Sequence, residues 1–290
     1  MSRRHPIISV TGSSGAGTST VKSTFDQIFR REGIKAVSIE GDAFHRFDRA
    51  QMKLEMEKHN DDAQNKFSHF SYEANVLDKL EEVFLSYARA GTGKSRHYVH
   101  NEDEAEKWGA APGTFTEWAD LEEGSDILFY EGLHGAVVND EVNLSQPADL
   151  KIGVVPVINL EWIQKIHRDK AERGYSTEAV TDTILRRMHS YVHCICPQFI
   201  ETDVNFQRVP VVDTSDPFVA RAIPTPDESL VVIRFRNPRG IDFPYLATMI
   251  DGSWMSRANS IVIPGGKMDL AMQLIFTPMV HRLVHESKRV

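Results

Sequence analysis

Glycines and hydroxyl residues follow a short apolar run near the start of the chain. Residues 7–10 (Ile-Ile-Ser-Val) are typical of a buried strand, and four residues separate Gly12 from Gly17. A glycine-rich turn between a strand and a helix can fold its amides around a phosphate, and the helix N-terminus adds partial positive charge. The spacing fits the phosphate-loop pattern G-x-x-x-x-G-K-[ST], in which Ser19 stands where a hydroxyl ligates Mg²⁺. It predicts a nucleotide-phosphate site formed by Gly12, Ser13, Ser14, Gly15, Ala16, Gly17, Thr18, Ser19 and Thr20.

The loop departs from this pattern at one position, because Thr18 stands where the pattern has lysine. A phosphoryl group in transfer still needs cationic neutralisation. Six Lys or Arg against four acids lie between Lys165 and Arg187, in a chain whose formal net charge is −8. The apolar spacing there predicts two helices that meet near Gly174. Residues 165–190 are therefore a candidate helical lid over the phosphates, and a plain solvated hairpin is the alternative.

Two acids follow predicted strands. Asp42 comes just after a strand at residues 35–40, and Glu131 ends an apolar strand that begins near residue 126. In an open α/β sheet, ligands bind at the carboxyl ends of the strands. Asp42 is therefore a candidate proton acceptor, or alternatively the cap of the next helix. Glu131 is a candidate Mg²⁺ ligand, and a strand-end carboxylate without a metal is its alternative.

Composition excludes several classes of function. The net charge of −8 makes the surface as a whole a poor match to nucleic acid. The two cysteines, Cys194 and Cys196, cannot form a disulfide framework, and as reduced thiols they fit the cytoplasm. No apolar run approaches the length of a membrane span. These features predict a soluble cytoplasmic protein with neither nucleic acid nor membrane as a partner.

Helical and apolar segments alternate along the chain, which favours an α/β fold. We expect a mostly parallel sheet of the P-loop kinase type with helices on both faces. Residues 48–69 are polar and are expected to form an exposed excursion. Residues 200–290 are rich in predicted strands, at 209–213, 230–235 and 261–263, and are expected to extend the same sheet. Residues 1–290 are then a single domain.

Four short motifs together resemble the phosphoribulokinase family, in particular its short bacterial class. They are the glycine loop, Glu-Gly-Asp-Ala-Phe-His-Arg at 40–46, Tyr-Glu-Gly-Leu-His at 130–134, and His-Arg-Asp at 167–169 with Arg-Gly at 173–174. The resemblance covers most of the chain. It implies ATP-dependent phosphorylation of the 1-hydroxyl of ribulose 5-phosphate, which gives ribulose 1,5-bisphosphate in the Calvin cycle.

The resemblance also implies roles for individual residues. Asp42 becomes the catalytic base, although Asp169 stays open as the proton acceptor, and Ser19 and Glu131 become ligands of Mg²⁺-ATP. Arg168 and Asp169 act at the reacting phosphate, and Lys165 supplies the charge that Thr18 lacks. The expected ligands of the sugar phosphate are His45, Arg49, Tyr98, His100 and Arg173.

Regulation and assembly are further implications of the resemblance. Bacterial members imply activation by NADH and a homo-oligomer, with Arg31, Arg234 and Arg257 as candidates for the effector site or a subunit interface. Ala16 stands where plant members carry a regulatory cysteine, so a thiol switch at that position is excluded.

Two other functions stay open at this point. A related uridine- or pantothenate-type kinase would share the fold, but such kinases usually keep the loop lysine. A nucleotide-dependent switch protein belongs to a different class. The guanine-reading Asn-Lys-x-Asp motif is absent, because Asn65-Lys66 is followed by Phe67-Ser68.

Overall fold

The computed structural model describes residues 5–13, 17–59 and 67–289, without the side chains of Ser19, Glu172 and Arg173. The helices and strands follow in chain order as β1 (Ile7–Gly12), α1 (Thr18–Glu32), β2 (Ala36–Glu40), α2 (Arg49–Lys58), α3 (Leu77–Ala90), β3 (Lys94–Ser95), α4 (Glu102–Trp108), β4 (Ala119–Asp120), β5 (Ile127–Gly132), β6 (Leu150–Val155), α5 (Ile158–Arg173), α6 (Thr177–Ser190), α7 (Gln198–Glu201), β7 (Val204–Pro210), β8 (Ser229–Phe235), α8 (Phe243–Met249), β9 (Trp254–Arg257), β10 (Ser260–Pro264) and α9 (Met268–Ser287). None of the helices within these ranges combines the length and the apolar character that crossing a membrane requires.

Eight strands form one sheet in the order β2-β5-β1-β6-β7-β8-β10-β9. The five strands from β2 to β7 pair in parallel, and β8, β10 and β9 continue the sheet in antiparallel pairs. Strands β3 and β4 pair separately. The prediction of a mostly parallel sheet that the C-terminal strands extend is confirmed.

Alternate residues of the central strands point to two apolar layers. Ile8 and Phe129 pack in a core that α1, α8 and α9 cover, with Phe25 between Phe129 and Phe276 at centroid distances of 5.1 and 4.9 Å. On the other face, Ile7 and neighbouring residues pack against α3 and the segment at 137–148. Both faces are therefore covered by helices, as expected. This arrangement explains why the central strands β1 and β5 are apolar at most positions.

The carboxyl ends of β1, β2, β5 and β6 lie at one edge of the sheet because these strands are parallel. Glu131 at the end of β5 is paired in register with Val10 of β1 on one side and with Glu40 of β2 on the other. Gly12 permits close packing there, since a Cβ atom would lie 2.8 Å from Thr18 Cγ2 and 2.9 Å from the Val154 carbonyl. Gly17 precedes α1 with φ +103°, a conformation that favours glycine. The glycine loop thus begins at the edge where the strand-end acids lie.

Three segments differ from the expectations. Residues 49–58 form α2 within the expected excursion; Asp48 and Gln51 form a capping box, and Met52 is buried. The strand expected at 209–213 is instead Val204–Pro210. Val211 and Val212, whose apolar character suggested the strand, are exposed. Proline usually kinks or divides a helix, and its position in the sequence predicts this at Pro278, but α9 continues through that residue.

Candidate active site

A short helical turn, Gly41–Phe44, follows β2 and presents Asp42 at this edge of the sheet. Gly41 allows the close approach, because a Cβ atom there would lie 2.7 Å from Tyr130 Oη. Arg96 fixes the turn by donating from Nε to the Ala43 carbonyl at 2.8 Å and from Nη2 to the His45 carbonyl at 2.6 Å. Arg96 has no assigned role in the sequence analysis. Its stacking on Phe115 and Trp118, 19 and 22 residues away, leaves no local pattern in the sequence.

Asp42 lies between two histidines. His45 Nε2 is 3.1 Å from Asp42 Oδ1, and His100 Nε2 is 3.6 Å from Asp42 Oδ2. Burial by itself raises the pKa of Asp42. The hydrogen bond from His45 and the charges of His45, His100 and His69 outweigh that effect and hold the pKa well below its usual value. Asp42 is therefore an anion throughout the neutral range, with 43% of its side chain accessible.

Four of the five expected sugar-phosphate ligands surround Asp42. Besides His45 and His100, the Tyr98 ring lies 4.9 Å from the His100 ring and 6.3 Å from the His45 ring. Arg49, at the start of α2, donates from Nη2 to the His100 carbonyl at 2.9 Å. The fifth residue, Arg173, ends α5, and its side chain lies outside the described residues. The structure thus brings together a carboxylate, two imidazoles, a phenol and a guanidinium.

The glycine loop meets the strand-end acid at Thr18. Burial raises the pKa of Glu131, and a hydrogen bond from the Thr18 hydroxyl partly offsets this effect. Of the expected loop residues, Ser14, Gly15 and Ala16 lie outside the described residues, as does the side chain of Ser19. Thr20 N donates to the Gly17 carbonyl at 3.1 Å and so begins the first turn of α1. Thr18 therefore turns its side chain toward the acid that is expected to meet Mg²⁺.

The oxygen atoms beside the glycine loop are suited to bind a phosphate and a hard cation. Ser13 is fully buried, and within the described ranges its hydroxyl has no partner of ordinary hydrogen-bond geometry. Carboxylate and hydroxyl oxygens are the donors that Mg²⁺ takes, together with the oxygens of a bound triphosphate. A buried hydroxyl left over beside a glycine loop is consistent with a ligand that accepts its hydrogen bond.

The candidate lid is a helical hairpin. Helix α5 ends at Gly174, which has φ +67°, and Ser176 caps α6 by accepting from Ala179 N at 3.2 Å. The apolar faces of the two helices pack together through Ile166, Val180 and Ile184, with Trp162 and Phe218 beside them. The hairpin geometry follows the sequence prediction; the lid motion remains a prediction.

Lys165 and Asp169 are buried, so these two charged residues of α5 do not belong to a plain solvated face. Their side chains are 7% and 4% exposed, and Lys165 Nζ is 2.5 Å from Asp169 Oδ2. Arg168 Nε lies 3.3 Å from Asp169 Oδ1. Burial, followed by the charge of Arg187, lowers the pKa of Lys165 to about 8, although Asp169 opposes the shift. A cation of the lid is thus held in place by a carboxylate.

Glu161 occupies the same stripe, one turn before Lys165, and has no role in the sequence analysis. It is 7% exposed and lines a cavity with Lys165, Arg187 and Tyr191. Burial raises its pKa to about 7, despite the nearby Ser13 hydroxyl and the charges of Arg187, Lys165 and Arg168. A repeat of charged residues at intervals of four (161, 165 and 169) is the signal that could have indicated one continuous polar stripe.

We expect Glu161→Gln to stabilise the ligand-free protein at alkaline pH. The folded-state pKa, about 7, lies above the ordinary value of 4.5, so Glu161 lowers stability progressively as pH rises from 4.5 to above 7. The variant should gain about 1–3 kcal/mol at pH 8 and little at pH 5. Melting temperatures at both pH values measure this, with Glu178→Gln at an exposed position of α6 as the control. An equal gain at both pH values would show that ionisation is not the cause.

The three candidate effector residues lie in two places. Arg31, at the end of α1, donates to Gln273 Oε1 at 2.5 Å and to Thr277 Oγ1 at 2.9 Å, both on α9. Arg234 on β8 and Arg257 on β9 are both level with Ser260 of the intervening strand β10. Arg234 and Arg257 therefore lie at the same level of the sheet, on the two strands that flank β10. Their role as an effector site or interface remains a prediction.

Known proteins are similar to this chain in sequence and in fold. A family model described as Phosphoribulokinase / Uridine kinase family matches residues 7–215. Phosphoribulokinase 1 of Cereibacter sphaeroides is 73% identical over 288 residues, which are 99% of each chain. Phosphoribulokinase of Nitrobacter vulgaris is 66% identical over the full length of both chains. The solved structure of phosphoribulokinase from Rhodobacter spheroides has a TM-score of 0.90 at 71% identity and covers 98% of this chain and 99% of its own. The chain therefore belongs to the phosphoribulokinase and uridine kinase family.

Proposed function

We propose that this chain transfers the γ-phosphoryl group of ATP to the 1-hydroxyl of ribulose 5-phosphate and so forms ribulose 1,5-bisphosphate in the Calvin cycle. The observation that carries the proposal is the full-length similarity to phosphoribulokinases. The cluster around Asp42 supports it, since a carboxylate beside cationic and polar side chains suits a hydroxyl acceptor that also bears a phosphate.

Asp42 takes the proton of the attacking hydroxyl in this proposal. Its carboxylate is ionised, accessible and fixed by His45, as general-base catalysis requires. His45, Arg49, Tyr98, His100 and Arg173 bind the sugar phosphate. The guanidinium groups of this set offset the charge of the phosphate dianion, and the imidazole and phenol groups supply further hydrogen bonds.

Residues 12–20 bind the triphosphate, and Ser19 and Glu131 ligate Mg²⁺. When bound, Mg²⁺ neutralises charge that develops on the phosphoryl oxygens. The buried Ser13 hydroxyl and the Glu131 carboxyl beside Thr18 support this assignment. Arg168, Asp169 and Lys165 act from residues 165–190, which we propose as a lid within a single domain of residues 1–290.

The finer features of the proposal concern regulation and assembly. We include a cytoplasmic homo-oligomer, activation by NADH, and Arg31, Arg234 and Arg257 as residues of an effector site or subunit interface. Arg234 and Arg257 are exposed and neighbouring, which suits an anionic ligand.

A coupled ADP-release assay tests the proposal. The purified full-length chain is given Mg²⁺-ATP with a panel of pentose phosphates, uridine and pantothenate. We expect the highest turnover with ribulose 5-phosphate. It should exceed that with uridine or pantothenate by on the order of 10²-fold or more, because acceptors that lack the phosphate leave polar groups of the site unpaired. Preference for uridine or pantothenate would favour the related kinases, and nucleotide binding without turnover on any acceptor would favour a switch protein.

We expect Arg49→Ala and His45→Ala to raise the KM for ribulose 5-phosphate much more than the KM for ATP. Both side chains lie on the Asp42 side of the site, and a phosphate dianion depends on charged donors. Steady-state kinetics with each substrate varied in turn measure the effect. Arg236→Ala is a matched control, since Arg236 likewise donates to a backbone carbonyl, that of Glu201 at 3.0 Å. Equal changes in both KM values would assign the two residues to the fold or the nucleotide site.

A further inference from the structure

A buried asparagine, Asn75, contacts the ring of His45 on the side opposite Asp42. Asn75 is 2% exposed and faces His45 across an isolated antiparallel bridge between two loop segments. Its Oδ1 lies 2.8 Å from His45 Nδ1. Since His45 Nε2 contacts Asp42, one imidazole connects the asparagine with the carboxylate. Asn75 is 33 residues from Asp42 in the chain, and no motif in the sequence marks it.

The orientation of the Asn75 amide follows from its backbone partners. The Nδ2 atom lies 3.0 Å from the His69 carbonyl and 2.8 Å from the Ser71 carbonyl. Carbonyl oxygens only accept, so the NH₂ group must face them and Oδ1 must face His45. Nδ2 is also 3.1 Å from His134 Nε2. An amide nitrogen cannot accept, so this ring nitrogen of His134 carries no proton, in agreement with a pKa that burial and the charge of His45 lower to about 3.

These directions determine the protonation of His45. Asn75 Oδ1 is an acceptor, which requires a proton on Nδ1 of His45. The ionised Asp42 carboxylate is also an acceptor, which requires a proton on Nε2. The geometry therefore gives His45 two N–H groups and a positive charge. Burial acts against that charge, but the hydrogen bond and charge of Asp42, with the Asn75 hydrogen bond, raise the pKa of His45 overall.

We propose that Asn75 is a positioning residue that holds His45 as the imidazolium that orients Asp42. This inference deepens the proposed function, and for its catalytic consequence it rests on Asp42 acting as the base. Without the Asn75 oxygen, Nδ1 of His45 has no acceptor. A neutral His45 that carries its single proton on Nε2, toward Asp42, then competes with the imidazolium. Because His45 is one of the proposed sugar-phosphate ligands, Asn75 also maintains a cation on the acceptor side of the site.

Other charged and titratable groups face the His45–Asp42 pair and contribute to its titration. Arg187 disfavours the imidazolium, whereas Asp42 favours it. The His69 ring lies 4.7 Å from the His45 ring, and His100 approaches the second oxygen of Asp42. Glu131 and Asp42 repel one another across the edge of the sheet. Asn75 is distinct among these groups because it contacts the otherwise free ring nitrogen of His45 directly.

Three variants separate the acceptor role of Asn75 from its structural role. Asn75→Ala removes the acceptor and both backbone hydrogen bonds, whereas Asn75→Asp keeps an acceptor for His45 and loses only the donors. Asn205→Ala is the matched control. Asn205 is also buried and donates from Nδ2 to a carbonyl six residues earlier, that of Phe199 at 3.0 Å, as Asn75 does to His69.

The readout is the ring titration of His45 by NMR of ¹⁵N-histidine-labelled full-length protein, assigned with His45→Gln. We expect His45 in the wild type to be doubly protonated at pH 7. Asn75→Ala should lower its midpoint by about one pH unit, the scale of a hydrogen bond to a charged group. Asn75→Asp should leave the midpoint unchanged or raise it, and Asn205→Ala should not change it. In kinetics at pH 8, kcat/KM for ribulose 5-phosphate should fall about tenfold in Asn75→Ala.

A neutral His45 in the wild type at pH 7 would overturn the proposal, whether or not the variants fold. Equal downward shifts in Asn75→Ala and Asn75→Asp would also overturn it, because they would assign the effect to the lost backbone hydrogen bonds. The titration needs no substrate. An imidazolium in a protein that does not phosphorylate ribulose 5-phosphate would contradict the proposed function and leave the role of Asn75 intact.

Discussion

Asp42→Asn is expected to lower kcat by ~10²–10⁴, the usual range for removal of a general base. Asparagine has nearly the same shape and can still accept the hydrogen bond from His45, whose Nε2 is 3.1 Å from the carboxylate. It cannot take a proton at neutral pH. The loss should therefore appear in kcat, while the KM for ATP changes little. Single-turnover measurements of phosphoryl transfer separate this step from product release.

Asp203→Asn is the matched control for this prediction. Asp203 lies at the opposite end of the strands, its side chain is 37% exposed, and it pairs with Lys151 at 3.2 Å, much as Asp42 pairs with His45. We expect the control to retain near-normal kcat. Near-normal turnover in a folded Asp42→Asn variant would remove Asp42 from the mechanism. Asp169 would then be the remaining candidate for the proton acceptor.

Local sequence patterns were sufficient for the central parallel strands and for the glycines at the two ends of the glycine loop. Residues 7–10 and 127–130 are apolar at every or nearly every position because helices cover both faces of the parallel strands. Glycine loops have fixed spacing, and Gly12 and Gly17 each meet a steric or conformational requirement that other residues do not. Asp42 and Glu131 were each predicted as site residues because they follow strands, and ligands bind at the carboxyl ends of strands in an open α/β sheet.

Contacts between distant segments could not be predicted in this way. Asn75 and Arg96 contact the Asp42 turn and His45 from positions 33 and 54 residues beyond Asp42 in the chain. Neither lies in a motif, and a single sequence taken alone offers no covariation. Likewise, the charged positions of α5 have the same spacing whether they face water or a buried cluster. Only the burial of Lys165 and Asp169 in the folded protein distinguishes the two.

Lys165→Met is expected to lower kcat by ~10²–10³, the cost of one preorganised donor, and to leave ATP affinity nearly unchanged. Thr18 replaces the loop lysine and turns to Glu131, so the loop itself supplies no side-chain cation at that position. Lys165 is buried and already charged against Asp169, at 2.5 Å, which preorganises it for a phosphoryl group that binds beside the pair. The pKa of Lys165, about 8, adds a test: kcat/KM of the wild type should fall as pH rises through that value, because the ammonium loses its proton.

Removing one partner of a buried pair also destabilises a protein, by ~3–5 kcal/mol, so the fold must be controlled. Lys151→Met provides the comparison: Lys151 is 12% exposed and pairs with Asp203 at 3.2 Å, away from the carboxyl edge of the sheet. Both variants should lose stability, measured by thermal unfolding. Only Lys165→Met should have a lower kcat, and only in that variant should the decline of kcat/KM near pH 8 disappear. If kinetics barely change, Lys165 only supports the hairpin. A structure with both substrates in which its Nζ atom stays on Asp169, away from the phosphates, would lead to the same conclusion.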